Sequence, residues 1–547
     1  MLTSLEASIV KTGRCLRSPS NWAWLNAQPW YVLLLGLIIC WAFLLRLPIL
    51  TEPWDDDRLG GWSGPFYGIA ARNYLRYGYL ATRMAPVLNT GPASPDQFAF
   101  YTNHPPLVPL MVSLSFRIFG EHEWSARLVP LLFSIAGLVL LAMIAHRIAS
   151  PRISLLATWM MASFPMAALF GTLVDVQGPI LLGFALVVVY AYLRWSEAPQ
   201  ARWVGVMGGG FLLGALTDWP IFYLIPLLWV HYRWKNPGRA WRSALWVGLS
   251  GGLFLAALVL YLSIVGGDRW LIFKALQFRS WRWMDDSGIP YSLLDWLRMV
   301  GGEVILGLFT PVGVALALGW AVAAIKRYWA GGCRRVDEVI VMLLAFGSAH
   351  IVLGFEGAYV HAIWSIYLAP GIALASAVAL EGLFVHVRLS HWVKWLPCAL
   401  TLIVGIYLVY ATASYYASWR LPLRPGYDVA LSPKSFGHLV QATTQDHDRV
   451  LTSFYQKAPA LWYYADRHML ASIISVHLLQ RALQSGEIDA GTHRTIVVPQ
   501  PPGAKSYFIL PTLHAEQFPE LFSYLREHFA FVRRGNYWIF GLQNPAW

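Results

Sequence analysis

Charge is what this sequence has least of. Only 13% of its 547 residues are Asp, Glu, Lys or Arg, against about 25% in an ordinary soluble domain, and this excludes a chain that is soluble from end to end. Cysteine is scarce as well. Cys15, Cys40, Cys333 and Cys398 share no C-x-x-C spacing, so neither a disulfide framework nor a zinc site follows. The patterns GxxxxGK[ST], GxSxG and HExxH are all missing, which removes the usual footprints of ATP-driven transport, of hydrolases with a nucleophile elbow and of zinc peptidases. No repeat of 20–50 residues and no low-complexity tract interrupts the chain.

What is abundant is apolar surface. Hydrophobic residues make up 57% of the chain and its mean hydropathy is +0.49. They fall in runs of about 17–25 residues, the length a helix needs to cross a hydrocarbon layer of roughly 30 Å. Eleven spans are expected, at about 31–50, 125–146, 153–171, 178–194, 203–218, 220–233, 243–265, 301–325, 338–355, 361–385 and 393–415. Trp22, Trp24, Trp30, Tyr31, Trp392 and Trp395 edge these runs as interfacial anchors do. The basic start, with Lys11, Arg14 and Arg17, leads into a run too long for a signal peptide and reads as an uncleaved first span.

The connections set an orientation. Every second one is basic, carrying Arg147 and Arg152, then Arg194 and Arg202, then Arg233 to Arg242, then Lys326 to Arg335, then Arg388 and Lys394. The short connections between them, around Asp175, Asp218 and Glu356, hold acids and no Lys or Arg. The positive-inside rule therefore places the N-terminus in the cytoplasm and the acids outside. Pro105–Gly120 is apolar but too short to cross and is expected to be a juxtamembrane helix. Residues 1–30 then form a cytoplasmic tail, 31–418 a membrane domain with outer loops 51–124 and 266–300, and 419–547 an outer domain. In that last region strand-like runs (450–454, 495–498, 507–510, 537–542) alternate with helical ones (458–467, 515–528), which predicts a small α/β domain. The fold class is a polytopic α-helical membrane protein with a C-terminal α/β domain.

Carboxylates at membrane level are costly and mark function. Asp55, Asp56 and Asp57 follow the first span, Asp175 precedes the fourth, and Asp218 lies between two spans, all on one face. Such a group suits glycosyl transfer, in which one carboxylate takes the proton of an acceptor hydroxyl and others orient it or face the oxocarbenium-like charge. Arg269, Lys274, Arg279 and Arg282 in the second outer loop, and Arg72, Arg76, Arg83 and Arg127 in or beside the first, could hold a lipid phosphate. Tyr67, His104 and His361 are further polar candidates at the same level. The scheme needs no metal or cofactor, although a divalent ion on Asp55–Asp57 is compatible with it.

Several stretches, taken in order, resemble the GT-C membrane glycosyltransferases related to protein O-mannosyltransferases and lipid A aminoarabinose transferases. They are the acidic group after span one, Tyr67-Gly-Ile-Ala-Ala-Arg72-Asn73, His104-Pro-Pro-Leu107, Phe119-Gly120 with Arg127-Leu128, Leu173-Val-Asp175, Arg194-Trp195, and Gly214-Ala-Leu-Thr217 before Trp219-Pro220. The resemblance spans about residues 30–420. It implies a polyprenyl-phosphate sugar as donor, inversion at the anomeric carbon, a lipid, glycan or protein acceptor, and an active site on the outer face of a bacterial cytoplasmic membrane, with membrane lipids and no nucleic acid as partners. By position the family's first-loop acid falls on Asp55–Asp57 and its second acid on Asp175. The chain departs from the family in the spacing of its acids from Tyr67 and in having Asp218 where a lysine is common. The competing reading is a transporter or flippase of a lipid-linked or anionic substrate, and a further one is an assembly subunit that docks through its C-terminal region. Acids at span ends and the lack of repeated halves speak against transport.

Overall fold

The computed structural model describes residues 29–54, 61–236, 240–267, 282–284, 288–386, 396–419, 432–454, 458–489, 495–497 and 502–545. Helices occupy each expected span. Five of them are long and apolar enough to cross a membrane, or up to seven if two bent pairs each count as one, among the described residues. The expected eleven full spans therefore include helices that are shorter, such as Ala201–Ala215 and Leu224–Lys235, joined through the turn Leu216-Thr217-Asp218 and the 3₁₀ segment Trp219–Tyr223.

Two expected straight spans are broken, in each case at a proline, which removes one ladder donor and clashes with the preceding turn. The first break separates Pro151–Ser163 from Pro165–Thr172 by 64°. Carbonyls near it are answered from elsewhere: Thr412 Oγ1 donates to the Ser163 carbonyl at 2.9 Å, and Arg46 Nη2 donates to the Ala167 carbonyl at 2.6 Å. Arg46 is the one arginine of the first helix, Pro29–Leu50, and is wholly buried. Its Nε also donates to Ser134 Oγ at 3.1 Å. The second break corrects the span expected at 301–325. Leu293–Trp296 continues as a π-helical stretch, Leu297–Leu306, and the chain then turns by 98° into Pro311–Trp329. Thr310 takes a φ of +66° there, and its hydroxyl caps the new helix by accepting from Gly313 N at 3.2 Å.

Leu107–Phe119 is a helix of 13 residues, too short to cross, as the reading of Pro105–Gly120 expected. It packs between Ser63–Tyr77 and Glu123–Ile148. Strands appear at or beside each expected run. β1 (Arg449–Thr452), β2 (His468–Leu470), β5 (Ser506–Pro511), β6 (Phe529–Arg534) and β7 (Tyr537–Pro545) make one mixed sheet in the order β2-β1-β5-β7-β6, while β3 (Glu487–Asp489) and β4 (Thr495–Val497) pair separately. The helix expected at 515–528 is two, Thr512–Gln517 and Pro519–His528, divided at Pro519.

This sheet does not stand apart. Phe436, Val450, Tyr463 and Ile509 share one apolar core with Trp54, Phe66, Tyr67, Val108 and Val112 of the first loop. A ring of polar contacts closes the seam. Arg72 Nε donates to Glu121 at 2.7 Å, Arg72 and Arg76 both bridge Asp466 at 3.0 and 2.5 Å, and Glu123 accepts from Lys434 and from the Tyr464 hydroxyl, each at 2.7 Å. Asp466 sits at φ +47°, which Asn tolerates as well as Asp, so Asp466→Asn tests the charge alone. Thermal unfolding of the solubilised protein should show a loss of about 1 kcal/mol, since Arg72 keeps Glu121 and the pair with Arg76 is partly exposed.

Candidate functional site

Two of the expected acids meet at one end of the helical bundle. Asp218 is wholly buried in the hairpin turn, its backbone N donating to the Gly214 carbonyl at 2.9 Å. Its Oδ1 lies 2.8 Å from His104 Nδ1, and its Oδ2 has no partner among the described residues. The loop carrying His104 is zipped to the same turn: Leu107 N donates to the Leu216 carbonyl at 3.0 Å and Trp219 Nε1 to the Asn103 carbonyl at 3.1 Å. His104 is thus held by backbone on both sides and by a carboxylate on one ring nitrogen, an arrangement that leaves Nε2 to face a ligand.

Asp175 lies in the turn between Phe170–Thr172 and Pro179–Glu197. Its Oδ1 accepts from Gln177 N at 2.9 Å, which fixes the carboxyl in a tight local turn. Burial pushes its pKa above the usual carboxylate range, opposed by the Gln177 N–H, by His104 and by the Ser63 hydroxyl, while Asp218 adds to the rise. Tyr67 ties the two acids together. It is buried on the short helix Ser63–Tyr77, hydrogen-bonds Tyr101, and feels the fields of both Asp175 and Asp218; burial first and those neighbours second hold its phenol protonated, well above its ordinary value. A phenol held protonated within the field of both carboxylates is a polar group able to orient an acceptor hydroxyl.

The other candidates sort differently. Asp55, Asp56 and Asp57, with Arg279, Arg269 and Lys274, lie outside the described residues. Arg282 precedes Trp283, whose N–H donates to the buried Glu356 at 2.8 Å. His361 caps a 3₁₀ segment, Ala362–Leu368. Arg72 and Arg127, expected to hold phosphate, are engaged by the protein itself. Arg72 serves the seam described above, and Arg127 is buried against Trp54, its guanidinium 3.9 Å from that ring centre and donating to the Leu50 and Glu52 carbonyls. Both arginines are thus held by protein groups in this structure. Among the described residues no three His, Cys, Asp or Glu side chains converge as a metal site.

Sequence reasoning passed over Tyr101, His350 and Tyr367. His350 and Tyr367 are buried in apolar helices, yet both lie within electrostatic reach of Asp218. A histidine inside a span was the one available signal.

Residues 103–264 match the family model described as dolichyl-phosphate-mannose-protein mannosyltransferase. No curated protein matches the chain by sequence. Among solved structures, ArnT from Cupriavidus metallidurans bound to undecaprenyl phosphate shares the fold with a TM-score of 0.59 at 14% identity, over 94% of this chain and 98% of that one. The archaeal oligosaccharyltransferase AglB from Archaeoglobus fulgidus, in complex with an inhibitory peptide and a dolichol-phosphate, gives 0.54 at 12% identity, over 95% of this chain and 74% of that one. The resemblance read from the ordered sequence stretches therefore holds at the level of architecture: this chain has the fold of the GT-C membrane glycosyltransferases.

Proposed function

We propose that the protein transfers a sugar from a polyprenyl-phosphate-linked donor to a lipid, glycan or protein acceptor on the outer face of a bacterial cytoplasmic membrane. The observation that carries this reading is the 2.8 Å contact of the buried Asp218 with His104, in a region where Asp175 and Tyr67 feel the same charges. Undecaprenyl phosphate on ArnT and dolichol-phosphate on AglB, proteins of the same fold, support a lipid phosphate as the carrier.

The chemistry follows from the groups present. Asp175 takes the acceptor proton as the acceptor oxygen attacks the anomeric carbon. The bond from that carbon to the phosphate oxygen breaks, and its electron pair leaves on the phosphate. In a single displacement the anomeric configuration inverts. Asp218 orients His104, which as an imidazolium donates through Nε2 to the departing phosphate, and Arg279 or Arg282 adds a second contact. Tyr67 holds the acceptor in line.

Replacing Asp175 by Asn should lower turnover by about 10²–10⁴-fold, the usual contribution of a positioned base, with donor affinity nearly intact. Asp218→Asn should instead weaken donor binding along with turnover, because its effect reaches the phosphate through His104. Wild-type rates in both variants would dismiss the carboxylate scheme. The base works ionised, and burial raises the Asp175 pKa. The acidic limb of the kcat/KM profile should then lie above the value near 4 of an ordinary aspartate, and Asp175→Asn should abolish it.

The orientation has its own test. Single cysteines placed at Ser94 and Lys505, both exposed, should react with a membrane-impermeant maleimide in intact spheroplasts, since the basic connections put both segments outside. Reaction only after the inner membrane is opened would reverse the topology.

A further inference from the structure

Buried polar atoms normally find partners, and in lipid the rule is stricter still. In this structure five atoms that break the rule fall within one short stretch and the helix facing it. They are both ring nitrogens of His350, Trp364 Nε1, Ser365 Oγ and the Tyr367 hydroxyl, none of which has a hydrogen-bond partner among the described residues. All four residues are at most 5% exposed.

Local backbone geometry explains how they come together. Ala362–Leu368 is a 3₁₀ helix entered through His361. With three residues per turn, side chains three apart eclipse one another, so His361, Trp364 and Tyr367 form one column that an α-helix would have spread around its surface. Trp364 stacks at 6.2 Å from His361 and at 4.3 Å from His350, while Tyr367 meets the His350 ring edge-on at 5.1 Å. Tyr223, beside the hairpin turn of Asp218, lies 6.0 Å from the same imidazole. The column leads to the reaction centre, because His350 is coupled electrostatically to Asp218 and His104, and Tyr367 to Asp218 and Asp175.

We propose that this column and His350 form the recess that takes the ring of the donor sugar, and that His350 and Trp364 decide which sugar is accepted. The inference rests on the glycosyl-transfer reading above. Aromatic faces match the apolar C–H face of a pyranose, and an indole N–H, a hydroxyl and an imidazole that both donates and accepts match its hydroxyls. Two carboxylates at the mouth disfavour an anionic ring. The occupant is therefore an uncharged polyhydroxy sugar, with the donor phosphate outside the recess on the His104 side. An unpaired buried polar atom is also the strongest device for rejecting an analogue that lacks the matching hydroxyl.

The test uses the full-length purified protein, polyprenyl phosphate carrying mannose, glucose, galactose or N-acetylglucosamine, and sugar-free polyprenyl phosphate as reference. His350→Phe and Trp364→Phe keep an aromatic ring and remove the polar atoms. Each should weaken binding of the best-bound charged lipid about tenfold, the worth of one lost hydrogen bond, and alter the ranking among the sugars. Each should leave the sugar-free lipid bound as before, which also shows that the variant is folded. Equal weakening for charged and sugar-free lipids, or unchanged affinity and ranking in both variants, overturns the recess while leaving glycosyl transfer in place. Wild-type protein that binds neither kind of lipid phosphate removes the functional reading itself, and the recess with it.

Discussion

Hydrocarbon offers no hydrogen bonds, so every backbone carbonyl or polar side chain placed in it must be answered by another part of the protein. Most of this architecture can be followed from that demand. Helices satisfy it within themselves until a proline intervenes. Near Pro165 an arginine from the first helix and a threonine from the last span supply donors to nearby carbonyls, binding three distant segments at one level. Near Pro311 the Thr310 hydroxyl caps the new helix, and Ser376 Oγ donates to the Gly313 carbonyl at 2.8 Å. Breaks that would be defects in isolation become the points where helices are fastened together.

The breaks also create the site. Because the span at 151–172 bends and ends in a 3₁₀ turn, Asp175 is delivered on a tight turn inside the bundle. The hairpin at 216–218 does the same for Asp218, and the backbone zipper to residues 103–107 brings His104 with it. Among the described residues, buried polar atoms without a partner occur at several places, Trp54 and Thr172 among them, and five gather around His350 and Tyr367.

The C-terminal sheet belongs to the same arrangement. Its core is continuous with the helix that carries Tyr67, and Tyr463 and Tyr464 pack on Trp54 and Glu123. Arg72, one helical turn before Arg76, is spent on Glu121 and Asp466. The two cations that looked most available for phosphate, Arg72 and Arg127, are instead what holds the first loop and the C-terminal region in register, so the loop that bears Tyr67 is braced from both sides.

Run length, proline and the signs of charge are local properties, and they were enough to predict helices at every span, a short helix within 105–120 and most strands of the C-terminal sheet. Asp175, Asp218, His104 and Tyr67 could be nominated because each is a polar group next to an apolar run, a pattern visible in one dimension. Partnership is different. Whether Arg72 meets a phosphate or Asp466, whether a proline bends a span by 64° or 98°, and whether His350 is alone or framed by Trp364 and Tyr367 depend on residues up to hundreds of positions away. Those distances are set by packing, in which the low dielectric makes each unpaired polar atom costly, and only the folded chain decides which atoms are paired.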